Sequence, residues 1–182
     1  MKKPTYLIAA LMLATQMPVW AGKTLDQIRQ KDQLTCGVNT GIAGFSAADS
    51  QGKWSGMDVD VCKAIAAAVL GSPDKVRYVP LSAPQRFTAL QSGEVDILSR
   101  NTTVTLSRDT ALGLSLTAVM FYDGQGFMVP VKSGIKSAKQ LKNATVCTQT
   151  GTTTEKNLSD FSRANKLNIK PVVFEKLDGA NA

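Results

Sequence analysis

The sequence predicts an α/β fold built on a parallel sheet, and three observations carry that expectation. Apolar runs at 34–38, 76–80 and 95–98 are separated by two helical patterns, giving strand–helix–strand–helix–strand. Each run ends in a polar stretch, at 39–45, 80–86 and 99–108. Open α/β sheets gather ligand contacts at the carboxyl ends of their strands. A second strand–helix–strand pattern then begins at Ala144, after a stretch of different character.

Residues 1–21 read as a secretory signal peptide. Lys2 and Lys3 form a basic start, 6–14 an apolar centre, and Val19-Trp20-Ala21 a small-residue cleavage site. Residues 24–31 form a short helix capped by Thr24. The strand at 34–38 leads into a glycine-rich loop, 39–46, and 49–56 has the polar punctuation of a tight hairpin with Trp54 on its return arm. Asp58 can cap a helix running to Leu70, with Val59, Cys62, Ile65, Ala66 and Val69 on one face and Gly71 as its stop. Asp60 in its first turn suits the helix dipole. The helix at 84–91 is closed by Gly93, and the third strand follows at 95–98.

Beyond Leu112 the pattern loosens. Residues 113–120 form a small-residue connector, and 121–129 an extended run in which Gly124 and Gly126 can absorb backbone rotation. A short helix at 137–141, a strand at 144–148, a helix from the 149–155 turn to about Asn165 and a strand at 170–174 complete the second unit. Two strands and about two helices are too little to close a layered core. Thr152 and Glu155 have capping-box spacing, so this turn sits on a helix N-terminus, where free amides favour an anion.

Composition narrows the function classes. The net charge of +7 is scattered among Asp and Glu without forming a basic stripe, which argues against nucleic acid as a partner. Histidine is absent, removing the commonest general base and metal ligand, so neither a metal site nor a cofactor is expected. Cys36, Cys62 and Cys147 make an odd count for an oxidising compartment. Cys62 lies on a helix following the strand that holds Cys36, so these two can meet; Cys147 is then the orphan.

The chemistry concentrates in 99–109, SRNTTVTLSRD, read as a loop leaving the third strand. Its hydroxyls and amide, with the planar fork of Arg108, suit a small carboxylate. A solvated Ser/Thr turn would account for the same composition.

Three segments together, GIAGFS at 41–46, RNTTVTLSRD at 100–109 and QTGTTTE at 149–155, resemble the periplasmic amino-acid-binding proteins of ABC uptake systems. Within that group they are most similar to the broad-specificity general L-amino-acid-binding subfamily, and the similarity spans nearly everything after the leader. The resemblance implies a type II periplasmic-binding-protein-like fold: lobe 1 over 22–120, a hinge or crossover at 121–127, and an incomplete lobe 2 over 128–182. It implies that Arg108 clamps the ligand α-carboxylate beside Thr103. It also implies that Asn101 offers a main-chain carbonyl to the α-ammonium, and that Thr153 with Thr152 grips the carboxylate from lobe 2. Phe45 takes the aromatic position at the pocket mouth. Arg86 is either a partner for acidic or amide side chains or a surface arginine of its helix. Ile42 stands where many relatives carry a stacking aromatic, and Ala83 replaces a larger residue, which implies a roomier pocket.

The expected function is therefore that of a monomeric periplasmic receptor. It captures free L-amino acids and passes them to ABC permease membrane subunits, with no enzymatic activity. Relatives continue through lobe 2 and supply a further carboxylate there, so the chain is expected to be C-terminally truncated and to bind ligand feebly by itself. The alternatives are an enzyme on the same fold, an amino-acid-related dehydratase or lyase, and the sensor module of a receptor. Asp109 and Glu155, the carboxylates nearest the expected cleft, are explained as a loop residue and a capping partner.

Overall fold

The computed structural model describes residues 22–176; the leader expected at 1–21 lies outside the described residues, as do 177–182. The first sheet is parallel, with β1 (Leu34–Asn39) between β4 (Val76–Leu81) and β5 (Ile97–Leu98). Every residue of β1 is buried, as expected for a central parallel strand covered on both faces. On one face Leu34 packs with Ile28 of α1 (Lys23–Lys31) and Ala66 of α2 (Met57–Leu70). Cys36 and Val38 continue that face against Cys62 of α2. The other face is covered by α3 (Gln85–Ser92), through a cluster of Leu81, Ala89 and Val95. Gly37 is packed tightly: a Cβ there would lie 2.9 Å from Leu81 Cδ1 and 3.0 Å from Leu98 Cδ1, so those side chains would have to shift to admit it.

The expected bridge between Cys36 and Cys62 is present, with a Cα–Cα distance of 6.2 Å, and ties β1 to α2. Cys147 is free and exposed. The predicted hairpin is β2 (Ala47–Ala48) paired antiparallel with β3 (Trp54–Ser55).

A second, two-stranded sheet pairs β6 (Thr145–Gln149) with β7 (Lys170–Phe174) in parallel. The connecting helix, α5 (Thr153–Ala164), buries Leu158 in a cluster with Leu141, Leu167 and Ile169. Phe127, Val129 and Phe161 close over this cluster. The 113–130 stretch carries no helix or strand.

Several local expectations are corrected. The cap of α1 is Gly22, not Thr24: the Gly22 carbonyl receives the Leu25 and Asp26 amides, and no side chain caps the helix. Asp58 does not cap α2 either. That place belongs to Gly56, at φ 119°, where a Cβ would lie 2.3 Å from the Phe45 carbonyl oxygen. Asp58 is instead the second residue of the helix and buried, and its carboxylate accepts from Ser46 Oγ at 3.4 Å.

The expected strand at 95–98 is reduced to its last two residues, since Asp96 is used to hold β1. Its amide donates to the Thr35 carbonyl, and its carboxylate accepts from the Thr35 amide at 2.8 Å. The stretch 99–109 is a loop only to Thr105; α4 (Leu106–Ala111) then begins, capped by the Thr105 hydroxyl, which accepts from the Arg108 amide at 3.2 Å. The helix expected at 137–141 is a single 3-10 turn, Ala138–Gln140, and a further 3-10 turn at Val131–Ser133 was not foreseen.

Candidate functional site

Because β1, β4 and β5 run in parallel, their carboxyl ends emerge on the same edge, and the three polar loops meet there. Asn101 is the junction. Its side-chain oxygen accepts from Asn39 Nδ2 at 2.8 Å and from Arg100 Nη2 at 2.9 Å, while its main-chain carbonyl accepts from Arg86 Nη1 at 3.4 Å. One residue thus links the loops after all three strands.

Arg108 projects from the first turn of α4, and its Nη1 donates to the Thr103 carbonyl at 2.7 Å. The Thr103 hydroxyl lies 3.0 Å from the Thr153 hydroxyl at the start of α5. This contact joins the loop after β5 to the helix that follows β6. Nearby, Arg86 Nη2 donates to the Gly151 carbonyl at 3.2 Å, a second bond between the two sheet regions. Gly151, at φ 71°, lies beside Pro84, and its left-handed backbone conformation favours glycine.

Thr152 has a different task from Thr153. Its hydroxyl donates to the Gln149 carbonyl at 2.6 Å and accepts from the Glu155 amide at 3.1 Å, so it is consumed in capping α5. The Glu155 carboxylate accepts from the Gly151 amide at 2.8 Å, so the reciprocal bond reaches one residue beyond the cap. Phe45 is half-buried, with its ring edge-on to Phe121 at 5.2 Å between centroids, which joins the glycine-rich loop to the connector.

Arg86 is not a surface arginine. It is 2% exposed, although it lies on a short helix among polar residues. Its guanidinium stacks over the Phe87 ring at 4.7 Å, and that of Arg108 lies over the same ring at 5.1 Å. Arg100, which the sequence reading passed over, is 6% exposed. Burial, reinforced by repulsion from Arg100 and Arg108, pushes the Arg86 guanidinium down to about 9. Burial pushes Arg100 down to about 10; Asp58 opposes the shift and Arg108 adds to it. Arg108 is lowered by burial. Asp58 is raised by burial, against the hydrogen bond from Ser46 and the charge of Arg100. All three arginines remain cationic at neutral pH. Together they make a desolvated, positive junction suited to anions.

Of the residues singled out from sequence, Asn101, Thr103, Arg108, Thr153 and Arg86 are brought together at this junction. Phe45 stands at the connector side, and Thr152 contributes through helix geometry rather than its hydroxyl. Asn39, Asp58 and Arg100 were missed. Asn39 could have been found as the polar residue ending a buried strand. Nothing local marks Arg100 or Asp58 as buried.

Comparison with known proteins agrees with this architecture. The family described as bacterial extracellular solute-binding proteins, family 3, matches residues 34–173. The general L-amino acid-binding periplasmic protein AapJ of Rhizobium johnstonii is 53% identical over 175 residues, covering 96% of this chain and 51% of that protein. The glutamate/glutamine/aspartate/asparagine-binding protein BztA of Rhodobacter capsulatus is 54% identical over 172 residues, covering 94% of this chain and 51% of its own length. The solved structure of an ABC transporter periplasmic binding protein from Brucella ovis, with glutathione bound, superposes with a TM-score of 0.82 at 56% identity. It covers 87% of this chain and 50% of that one. The chain thus spans about half the length of the curated relatives it matches. Its fold is of the periplasmic-binding-protein-like type II class, and the chain belongs to family 3 of the bacterial extracellular solute-binding proteins.

Proposed function

We propose that the chain supplies the ligand-capturing cleft of a periplasmic amino-acid-binding protein, which delivers free L-amino acids to ABC permease subunits. The carrying observation is the meeting of Arg108, Thr103 and Thr153: Arg108 donates to the Thr103 main-chain carbonyl, and the Thr103 hydroxyl meets the Thr153 hydroxyl of the other sheet region. Arg108 takes the ligand α-carboxylate bidentately, and the Thr103 and Thr153 hydroxyls complete its hydrogen bonding. The Asn101 carbonyl receives the α-ammonium, sharing its second lone pair with Arg86. The Arg86 end of the junction meets the ligand side chain, and Phe45 shields the entrance.

In this reading residues 22–120 form lobe 1, 121–127 the hinge and 128 onward lobe 2. Closure brings Thr153 and the α5 N-terminus onto a ligand already held by Arg108. The protein works as a periplasmic monomer and binds without turnover.

The test is an NMR titration of the 15N-labelled chain with free L-amino acids, which detects even millimolar binding. Saturable shifts are expected at 101–108 and 152–154. In Arg108→Ala they should vanish for every amino acid while the remaining spectrum stays dispersed. Absence of saturable shifts in the wild type, or their survival in the variant, overturns the proposal.

A further inference from the structure

The positive charge, scattered when the chain is read end to end, is unevenly divided between the two sheet regions. Residues 22–130 hold ten Lys and Arg against ten Asp and Glu, whereas residues 131–176 hold nine against three. Such asymmetry between halves of a chain points to an anionic surface as partner. The fold sorts the excess further. Glu155 and Glu175 lie past the carboxyl ends of β6 and β7, and the Glu155 carboxylate is spent on the Gly151 amide. Asp160 pairs with Lys156 and Arg163 along α5.

At the opposite edge, where both strands begin, only cations are gathered from this region. The Asn143 amide donates to the Leu167 carbonyl at 2.7 Å, the Lys170 amide to the Ala144 carbonyl at 2.8 Å, and Asn168 Nδ2 to Asn143 Oδ1 at 2.9 Å. These bonds bring Lys142, Lys166 and Lys170 to one edge, with Lys139 a turn upstream, and all four are exposed. Among the described residues, the ion pairs within 4.0 Å involve none of them. Each has a local reason: Lys166 follows the C-terminus of α5, where the dipole favours a cation, and Lys170 opens a strand, where lysine deters stray pairing. Neither reason requires four cations together, which repel one another without an anion.

We propose that the edge carrying Lys139, Lys142, Lys166 and Lys170 is a docking surface for an anionic phospholipid membrane. The patch lies outside the pocket over Phe127 and Phe161 and outside the one beside Asp160, so it offers no concavity to a single ligand or a peptide. Lysine ammonium groups are point charges on flexible stems, without the planar fork that selects one phosphate or carboxylate. They suit a mobile array of phosphate head groups, which rearranges to meet them. Residues 128–144 and 162–173 contain no Phe, Tyr or Trp, so the edge lacks the rings on which nucleic-acid bases stack. β6 is five residues long, which sets this edge roughly 15 Å from the 149–153 turn. Docking here goes beyond the amino-acid reading and does not occupy that site; it concentrates the protein at a membrane surface.

Co-sedimentation of the full chain with phosphatidylglycerol or phosphatidylcholine vesicles tests this. Residues 1–21 are the same in every variant, so differences between variants read the lysines. The wild type should prefer phosphatidylglycerol by about a hundredfold at low salt, since each lysine near an anionic membrane is worth roughly fivefold. Added salt should shrink that ratio. Lys142→Gln alone should lower it about fivefold, and the quadruple change Lys139→Gln, Lys142→Gln, Lys166→Gln and Lys170→Gln to near one. Lys23→Gln, Lys31→Gln, Lys53→Gln and Arg77→Gln together remove the same charge from exposed positions of the first region, and should leave the ratio within about twofold. Equal loss in the two quadruple variants would show that net charge alone drives binding and overturn the proposal. An unchanged ratio in Lys142→Gln overturns it even if the quadruple variant fails to fold, as does a wild type without preference. Tighter binding to polyglutamate or single-stranded RNA than to phosphatidylglycerol would overturn the assignment to lipid.

Discussion

The two sheets of this chain are both parallel and both helix-connected, yet they are finished to different degrees. The first has a central strand buried along its whole length, helices on both faces, and a disulfide joining strand to helix. Among the described residues, the second has two strands and α5 as its one long helix, and four of the five residues of β7 are exposed. Val172 and Val173 remain 41% and 48% exposed, although parallel strands are ordinarily covered on both sides. Desolvated charge is held by the first region, which can surround Arg86 and Arg100 with protein. The second contributes hydroxyls and a helix terminus, groups that function without deep burial.

Stability measurements can break or sharpen this contrast. The largest effect is expected for the double variant Cys36→Ala/Cys62→Ala. Removing a bridge with a sequence separation of 26 should lower stability by about 3 kcal/mol. Urea unfolding followed by fluorescence reads this region directly, because Trp54 packs against the cluster containing both cysteines. A loss below about 1 kcal/mol would mean that the first region is held by its core alone.

Leu158→Ala should cost about 2 kcal/mol, near the low end for a buried leucine, because a core open on one side can collapse into the space. Amide exchange should quicken in β6 and β7 and stay unchanged in β1. Equal acceleration in β1 would show that the two regions unfold as one. The smallest effect belongs to Val173→Thr, expected within about 0.5 kcal/mol because the side chain is half exposed and the β-branch is kept. A loss several times larger in the same urea titration would reveal that this face is covered in solution.

Much of this organisation was legible in the chain. Strand and helix periodicity located each major element, because a 2.0 or 3.6 repeat is a local property. The hairpin and the α5 cap were readable from turn chemistry for the same reason. Errors fell where a tertiary contact overruled a local preference. Asp58 looked like a cap, but the close approach of Phe45 demands glycine at 56 and leaves Asp58 facing Ser46. The loop at 99–109 hid α4, whose six residues are too few for helical periodicity to register.

The sequence alone determined the α/β class, the three converging loops and the residue types able to hold a carboxylate. Those follow from patterns that neighbouring residues impose on one another. Only the tertiary structure decided that Arg86 is interior, that Arg100 belongs beside it, and that the Thr152 hydroxyl is spent on a helix cap while Thr153 faces Thr103. Burial and pairing are relations between residues distant in the chain: Arg86 meets Asn101 across 15 positions and Gly151 across 65. No local pattern encodes such a meeting, and the charge it desolvates exists only once the loops have closed around it.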